Sequence, residues 1–189
     1  IVASLVGSEM CIRDSNTVWS HEHGPQGGDE INLLEGGENY GWPKVTHGEE
    51  YGGGKIGKLT QKGFKDPKWI WVPSIAPSGM AFYNGNMFPE LNDHLLIGSL
   101  KFKQIHAIKI LNGHPVLERK LLNKSYGRVR DLEVMNDGSI LFITDEDKSG
   151  RHKGGLYKIF RKKNNFIVFR KNGLFYKKLN NYWIYYVWH

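Results

Sequence analysis

Between residue 16 and about residue 160 the chain alternates short apolar runs with clusters of Asn, Asp, Gly and Pro, the rhythm of strands joined by tight turns rather than of helices. The first two runs are residues 16–23 (NTVWSHEH) and 29–35 (DEINLLE), followed by a glycine-rich excursion to about residue 68. Four more follow in close succession: 78–83 (SGMAFY), 94–100 (HLLIGSL), 104–110 (QIHAIKI) and 116–122 (VLERKLL). Asn84-Gly85, Asn92-Asp93, Phe102-Lys103 and Asn112-Gly113 mark the turns, and Asn-Gly is a favoured hairpin dipeptide because both positions tolerate positive φ. This pattern predicts a four-stranded antiparallel meander. A second unit begins with 130–135 (RDLEVM), turns at 136–138 (NDG), and continues through 139–145 (SILFITD), a polar loop and 154–160 (GGLYKIF). Repeats of about forty to fifty residues with four strands each suggest the blades of a β-propeller, with a β-sandwich as the alternative that two weak repeats leave open.

Composition narrows the function classes. With 189 residues and 40% hydrophobic content the chain can build a real core. The formal net charge of +7 suggests nucleic acid until it is located: residues 161–189 hold seven Lys/Arg and no Asp/Glu, whereas residues 1–160 hold nineteen of each. The body is neutral, so no nucleic-acid partner is expected. A single cysteine, Cys11, excludes an internal disulfide framework and a cysteine-based zinc site. No run approaches the roughly eighteen apolar residues of a membrane span, and no signal peptide opens the chain.

Both ends differ in character from the middle. Residues 1–15 have neither strand alternation nor a capped helical period, and SLVGSEMCIRDS resembles a translated sequencing adapter of the kind found at the edges of metagenomic reading frames. Residues 161–189 are rich in Lys, Asn, Phe, Ile and Tyr, the residues of AT-rich codons, as read-through yields; the competing reading is a basic aromatic membrane-surface segment. The expected organisation is therefore a non-native opening at 1–15, a folded segment at 16–160 and a basic tail at 161–189.

Five motifs in order, EHGPQGGDEIN, NYGWP, WVPSIAPSGMAFY, GSLK and RVRDLEVMNDG…TDE, resemble the pyrroloquinoline quinone (PQQ)-dependent glucose/sorbosone dehydrogenase family. The resemblance runs over about residues 17–160. It implies an all-β fold, a partial six-bladed β-propeller of about three four-stranded antiparallel blades, equivalent to the family's C-terminal half. It also implies oxidation of an aldose at C1 to a lactone with PQQ and calcium, a small-molecule sugar as partner, and a periplasmic or secreted address. The alternative is a propeller that keeps the fold as a non-catalytic binding module; Gly24-Pro25, Lys101, Arg128 and Arg130 together favour the enzyme.

Several residues suit that chemistry. Calcium takes oxygen ligands and readily uses backbone carbonyls, which a Gly-Pro turn can point outward. The resemblance gives that role to Gly24 and Pro25, and implies a second, structural calcium at Glu30 and Tyr40. Asp29 and Glu30 can also be read as solvated acids at the start of a strand. His21 and His23 fall on one face of a strand, but with no third ligand they read as ordinary side chains. DEDKSG at 145–150 mimics the start of an EF-hand loop; the position that needs a bidentate Glu is Leu156, which rules the motif out. PQQ is a planar tricarboxylate quinone and needs cations for its carboxylates and walls for its ring. Arg128 and Arg130 alternate at a strand entry, on one face. The resemblance makes them, with Lys101, cofactor contacts and sets Trp69 and Val72 beside the cofactor, Val72 replacing an aromatic; Trp69 and Trp71 are otherwise core or rim aromatics. It places the general base, a histidine, in the N-terminal half that precedes these residues.

Overall fold

The computed structural model describes residues 9–12, 17–122, 126–146, 154–162, 165–170 and 173–175. Most of the adapter-like opening, the tail beyond residue 175 and the EF-hand-like positions 147–150 lie outside the described residues. Among those described, helix is confined to one 3-10 turn at Pro89–Leu91. Everything else regular is antiparallel sheet in sequential order, as expected from the sequence.

The first sheet runs β1 (Glu9–Ile12), β2 (Val18–Glu22), β3 (Asp29–Leu34) and β4 (Trp69–Trp71). The second runs β5 (Pro77–Tyr83), β6 (His94–Ser99), β7 (Gln104–Leu111) and β8 (His114–Leu121). The third is a five-stranded meander of β9 (Arg128–Val134), β10 (Ile140–Asp145), β11 (Gly155–Lys162), β12 (Asn165–Arg170) and β13 (Gly173–Phe175). Strands β1, β4, β12 and β13 arise where the apolar pattern marked none. The chain divides into two compact units, Ile1–Ser78 and Gly79–His189.

The turn residues act as their chemistry requires. Asn112 and Gly113 adopt φ 51° and 75°, the paired positive values of a two-residue hairpin turn, and join β7 to β8. Asp93 and Lys103 are also left-handed, at 63° and 57°.

In the first unit, Trp19, Ile31, Val45, Trp71 and Ile75 are buried around β2–β4. β2 is buried on both faces, with Trp19, Ser20 and His21 all covered. In the second unit one apolar cluster spans two sheets, from Ala81 and Tyr83 through Leu96, Ile105 and Ala107 to Phe142, Tyr157 and Ile159. Phe142 stacks on Tyr157 with centroids 5.0 Å apart, and Tyr126 meets both rings edge-on. Tyr83 adds a polar link: its hydroxyl donates to the Gly138 carbonyl (2.7 Å) and accepts from the Phe88 amide (2.9 Å).

Candidate functional site

In the first unit the Gly24–Gly28 turn links β2 to β3 and is fixed from inside by Asp29. One Asp29 oxygen accepts from the Gly24 amide at 2.8 Å and the other from the Ala76 amide at 2.7 Å. Asp29 is fully buried, which corrects its reading as a solvated acid: each of its two oxygens accepts from a backbone donor. Gly24 is required sterically, since an added Cβ would lie 2.7 Å from the Gly28 carbonyl carbon. Gly27 and Gly28 have φ of 81° and 73°, and Gly28 donates to the Trp71 carbonyl at 2.9 Å. The turn is closed by the Glu49 amide on the Gln26 carbonyl, 3.1 Å. Among the described residues the Gly24 and Pro25 carbonyls accept no hydrogen bond. A held turn with two uncommitted backbone oxygens suits a hard cation.

Glu30 and Tyr40 have separate surroundings. Glu30 stands opposite Glu22 in the β2–β3 register, and Asn32 donates its amide to both carboxylates, at 3.1 and 3.2 Å. Burial raises the Glu30 carboxyl to about 7, with the Asn32 hydrogen bond opposing and the charges of Glu22 and Asp29 adding. Burial raises Glu22 too. The Tyr40 hydroxyl accepts from the Glu35 amide and donates to the Leu33 carbonyl, both at 2.8 Å, which leaves its main-chain oxygen as the ligand it can offer. Among the described residues no group of three or more His, Cys, Asp or Glu is arranged to hold a metal ion.

The two histidines are structural. His21 donates through Nε2 to the Ser78 carbonyl at 2.6 Å, and His23 through Nε2 to that of Pro77. Burial holds the His21 imidazole down at about 4, so it stays neutral. Trp69 is half-buried on β4, opposite Ile31, and Trp71 is buried opposite Asp29. Val72 is exposed and lies against Gly27.

In the second unit, Arg128 and Arg130 begin β9. The β9–β10 register slips between Ile143 and Thr144, so Arg130 has no residue opposite; this is a bulge, a device that re-aims side chains beside functional sites. Both guanidinium groups converge on a single oxygen of Asp145: Arg130 Nε lies 2.7 Å and Arg128 Nη1 3.4 Å from Oδ2. Among the described residues their remaining N–H groups are unpaired. Lys101 follows β6, which packs beside β9, in a turn where the Phe102 amide donates to Ser99 Oγ at 3.0 Å. Its ammonium stands 5.8 Å from the Phe102 ring centroid and makes no ion pair among the described residues. Local sequence assigns Asp145 no role at the arginines, although the TDE that contains it is among the motifs; its place opposite Arg128 emerges only from the strand pairing.

Comparisons with known proteins identify the family and the fold. The family model "Glucose / Sorbosone dehydrogenase" matches residues 8–158. The aldose sugar dehydrogenase YliI of Escherichia coli K12 is 43% identical over 136 residues, 70% of this chain and 36% of its own length. The apo-form crystal structure of the soluble aldose sugar dehydrogenase of E. coli superposes with a TM-score of 0.73 at 39% identity, covering 80% of this chain and 44% of that one. The PQQ-bound aldose sugar dehydrogenase of Streptomyces coelicolor, at 24% identity, shares the fold with a TM-score of 0.56, over 85% of this chain and 40% of that one. The chain thus spans between a third and a half of the length of these relatives. The fold class is the expected one, an all-β partial propeller. A matching family model across most of the length, and close sugar-dehydrogenase relatives over the same residues, make this chain a member of the glucose/sorbosone dehydrogenase family.

Proposed function

We propose that the chain belongs to a PQQ- and calcium-dependent enzyme that oxidises aldose sugars at C1 to lactones. The observation that carries this reading is the arginine pair: two guanidinium groups drawn to one carboxylate oxygen, with donors to spare, form a fork suited to a polycarboxylate. Arg128, Arg130 and Lys101 would hold the cofactor carboxylates, and the Trp69 indole would offer an apolar wall. The Gly24 and Pro25 carbonyls would ligate the calcium at the cofactor, and Glu30 with the Tyr40 main-chain oxygen a second, structural calcium. When bound, PQQ supplies an electrophilic quinone carbonyl that accepts the sugar's hydride.

This chain's own residues act electrostatically. The cations counter negative charge on bound carboxylates, and Asp29 keeps the Gly24-Pro25 turn from relaxing. His21 and His23 are committed to backbone carbonyls and do not serve as the base, which the family resemblance assigns to a histidine outside these residues. A periplasmic or secreted address follows the same resemblance.

The test is titration of PQQ into the full-length protein, read by fluorescence quenching and by dye reduction with aldoses, with and without chelator. Chelation is expected to weaken PQQ binding, and Arg128→Ala to weaken it about tenfold or more, the value of a charge-assisted contact. Equal affinity in all three conditions would refute the assignment.

A further inference from the structure

We infer that Asp145 is a positioning residue that holds Arg128 and Arg130 as a double fork for a polycarboxylate ligand. This rests on the reading of the two arginines as cofactor contacts. Asp145 engages Arg130 side-on, through Nε, so both terminal amino groups of that guanidinium stay available to fork a carboxylate. The same oxygen draws in Arg128 at 3.4 Å, close enough for Coulomb attraction yet leaving its donors uncommitted. Two guanidinium charges and one carboxylate leave the trio at net +1, enough to favour an anion while limiting repulsion between the two cations.

Asp145 also differs from an incidental surface partner. Its Oδ1 is sealed from solvent and finds no hydrogen bond among the described residues, so the hold of the carboxylate on the two guanidinium groups runs through Oδ2, and the buried Oδ1 shows the group set into the protein rather than waving in solvent. The strand bulge at Arg130 supplies the second half of the arrangement, bringing a residue with no cross-strand partner to the same carboxylate.

The sign of one substitution separates positioning from plain charge. Removing a carboxylate beside an anion site should tighten anion binding if only charge matters; if Asp145 orients the forks, binding should weaken although the site becomes more positive. The experiment uses the full-length protein with Asp145→Ala, Asp145→Asn, Arg128→Ala and Arg130→Ala, titrated with PQQ. The Arg130 Nε–Hε resonance is followed separately by NMR in the absence of PQQ. Asp145→Ala is expected to weaken PQQ binding about tenfold, with the thermal midpoint nearly unchanged because a half-exposed ion pair adds little stability. Asp145→Asn keeps an acceptor for Nε and is expected to restore most of the affinity. The Hε resonance should be displaced by the Ala variant and retained by the Asn variant. Equal or tighter PQQ binding by Asp145→Ala, or an Hε signal indifferent to that change, would overturn the inference. If both arginine variants bind PQQ like the parent while Hε still responds to Asp145→Ala, the cofactor reading fails and the hold of Asp145 on the guanidinium stands.

Discussion

Glu30 and His21 sit on adjoining strands of the first sheet and load its stability with opposite pH dependences. Burial raises the Glu30 carboxyl from 4.5 to about 7. In the unfolded chain this acid ionises from about pH 4.5, whereas the folded chain keeps its proton to about pH 7, so the folded state binds more protons in that window. Stability therefore falls as pH rises through it, by about 3 kcal/mol in all. Burial moves His21 from 6.5 down to about 4. Here the unfolded chain binds the extra proton below pH 6.5, and stability rises with pH from about 4 to 6.5 by a similar amount. The two slopes offset one another over most of the range. Glu30→Gln removes one of them while keeping an acceptor for Asn32. The variant should match the parent near pH 4.5 and exceed it by about 3 kcal/mol at pH 7. The assay is urea denaturation from pH 4.5 to 7.5 in chelator, so that no divalent cation at Glu30 contributes. A stability difference independent of pH, or one that grows as pH falls, would refute the reasoning.

Asp29→Ala should cost about 3 kcal/mol, because it orphans the Gly24 and Ala76 amides, and hydrogen exchange at those two amides should quicken beyond that of the β2–β3 ladder. Gly24→Ala should lower the thermal midpoint by the equivalent of about 2 kcal/mol, since the new Cβ collides with the Gly28 backbone rather than with a movable side chain. Phe142→Ala, which empties a fully buried position stacked on Tyr157, should cost about 3–5 kcal/mol in chemical denaturation.

The middle strands were legible because each carries a continuous or alternating apolar run closed by a turn pair; Asn112-Gly113 even adopts the expected backbone. β4 was not, because Trp69–Trp71 is too short to show a period and joins its sheet only by pairing with β3, across the long glycine-rich excursion. β12 and β13 lie in a segment set aside on composition, although Ile167 and Val168 bury their side chains. The site was legible as a set of residue types, the Gly-Pro turn and the Arg-x-Arg pair. What local pattern could not supply were the two carboxylates that fix them. Asp29 is tied to Ala76, 47 positions away, and Asp145 meets the arginines only through strand pairing and a one-residue slip. Locally Asp29 reads as a solvated acid and Asp145 as the start of an EF-hand-like loop, because the partners of both lie elsewhere in the sequence.

The hydroxyl of Tyr83 gives the second unit a built-in clock. The Phe88 amide lies outside any strand, yet its proton is held by an oxygen that is itself fastened to the β9–β10 turn at Gly138. That proton can trade with deuterium only when the two sheets part or the phenol swings away. Its exchange rate in the parent therefore times the release of the Tyr83 hydroxyl, whichever of the two motions frees it. In Tyr83→Phe, with ring packing intact and the tether gone, the same proton should exchange faster than in the parent.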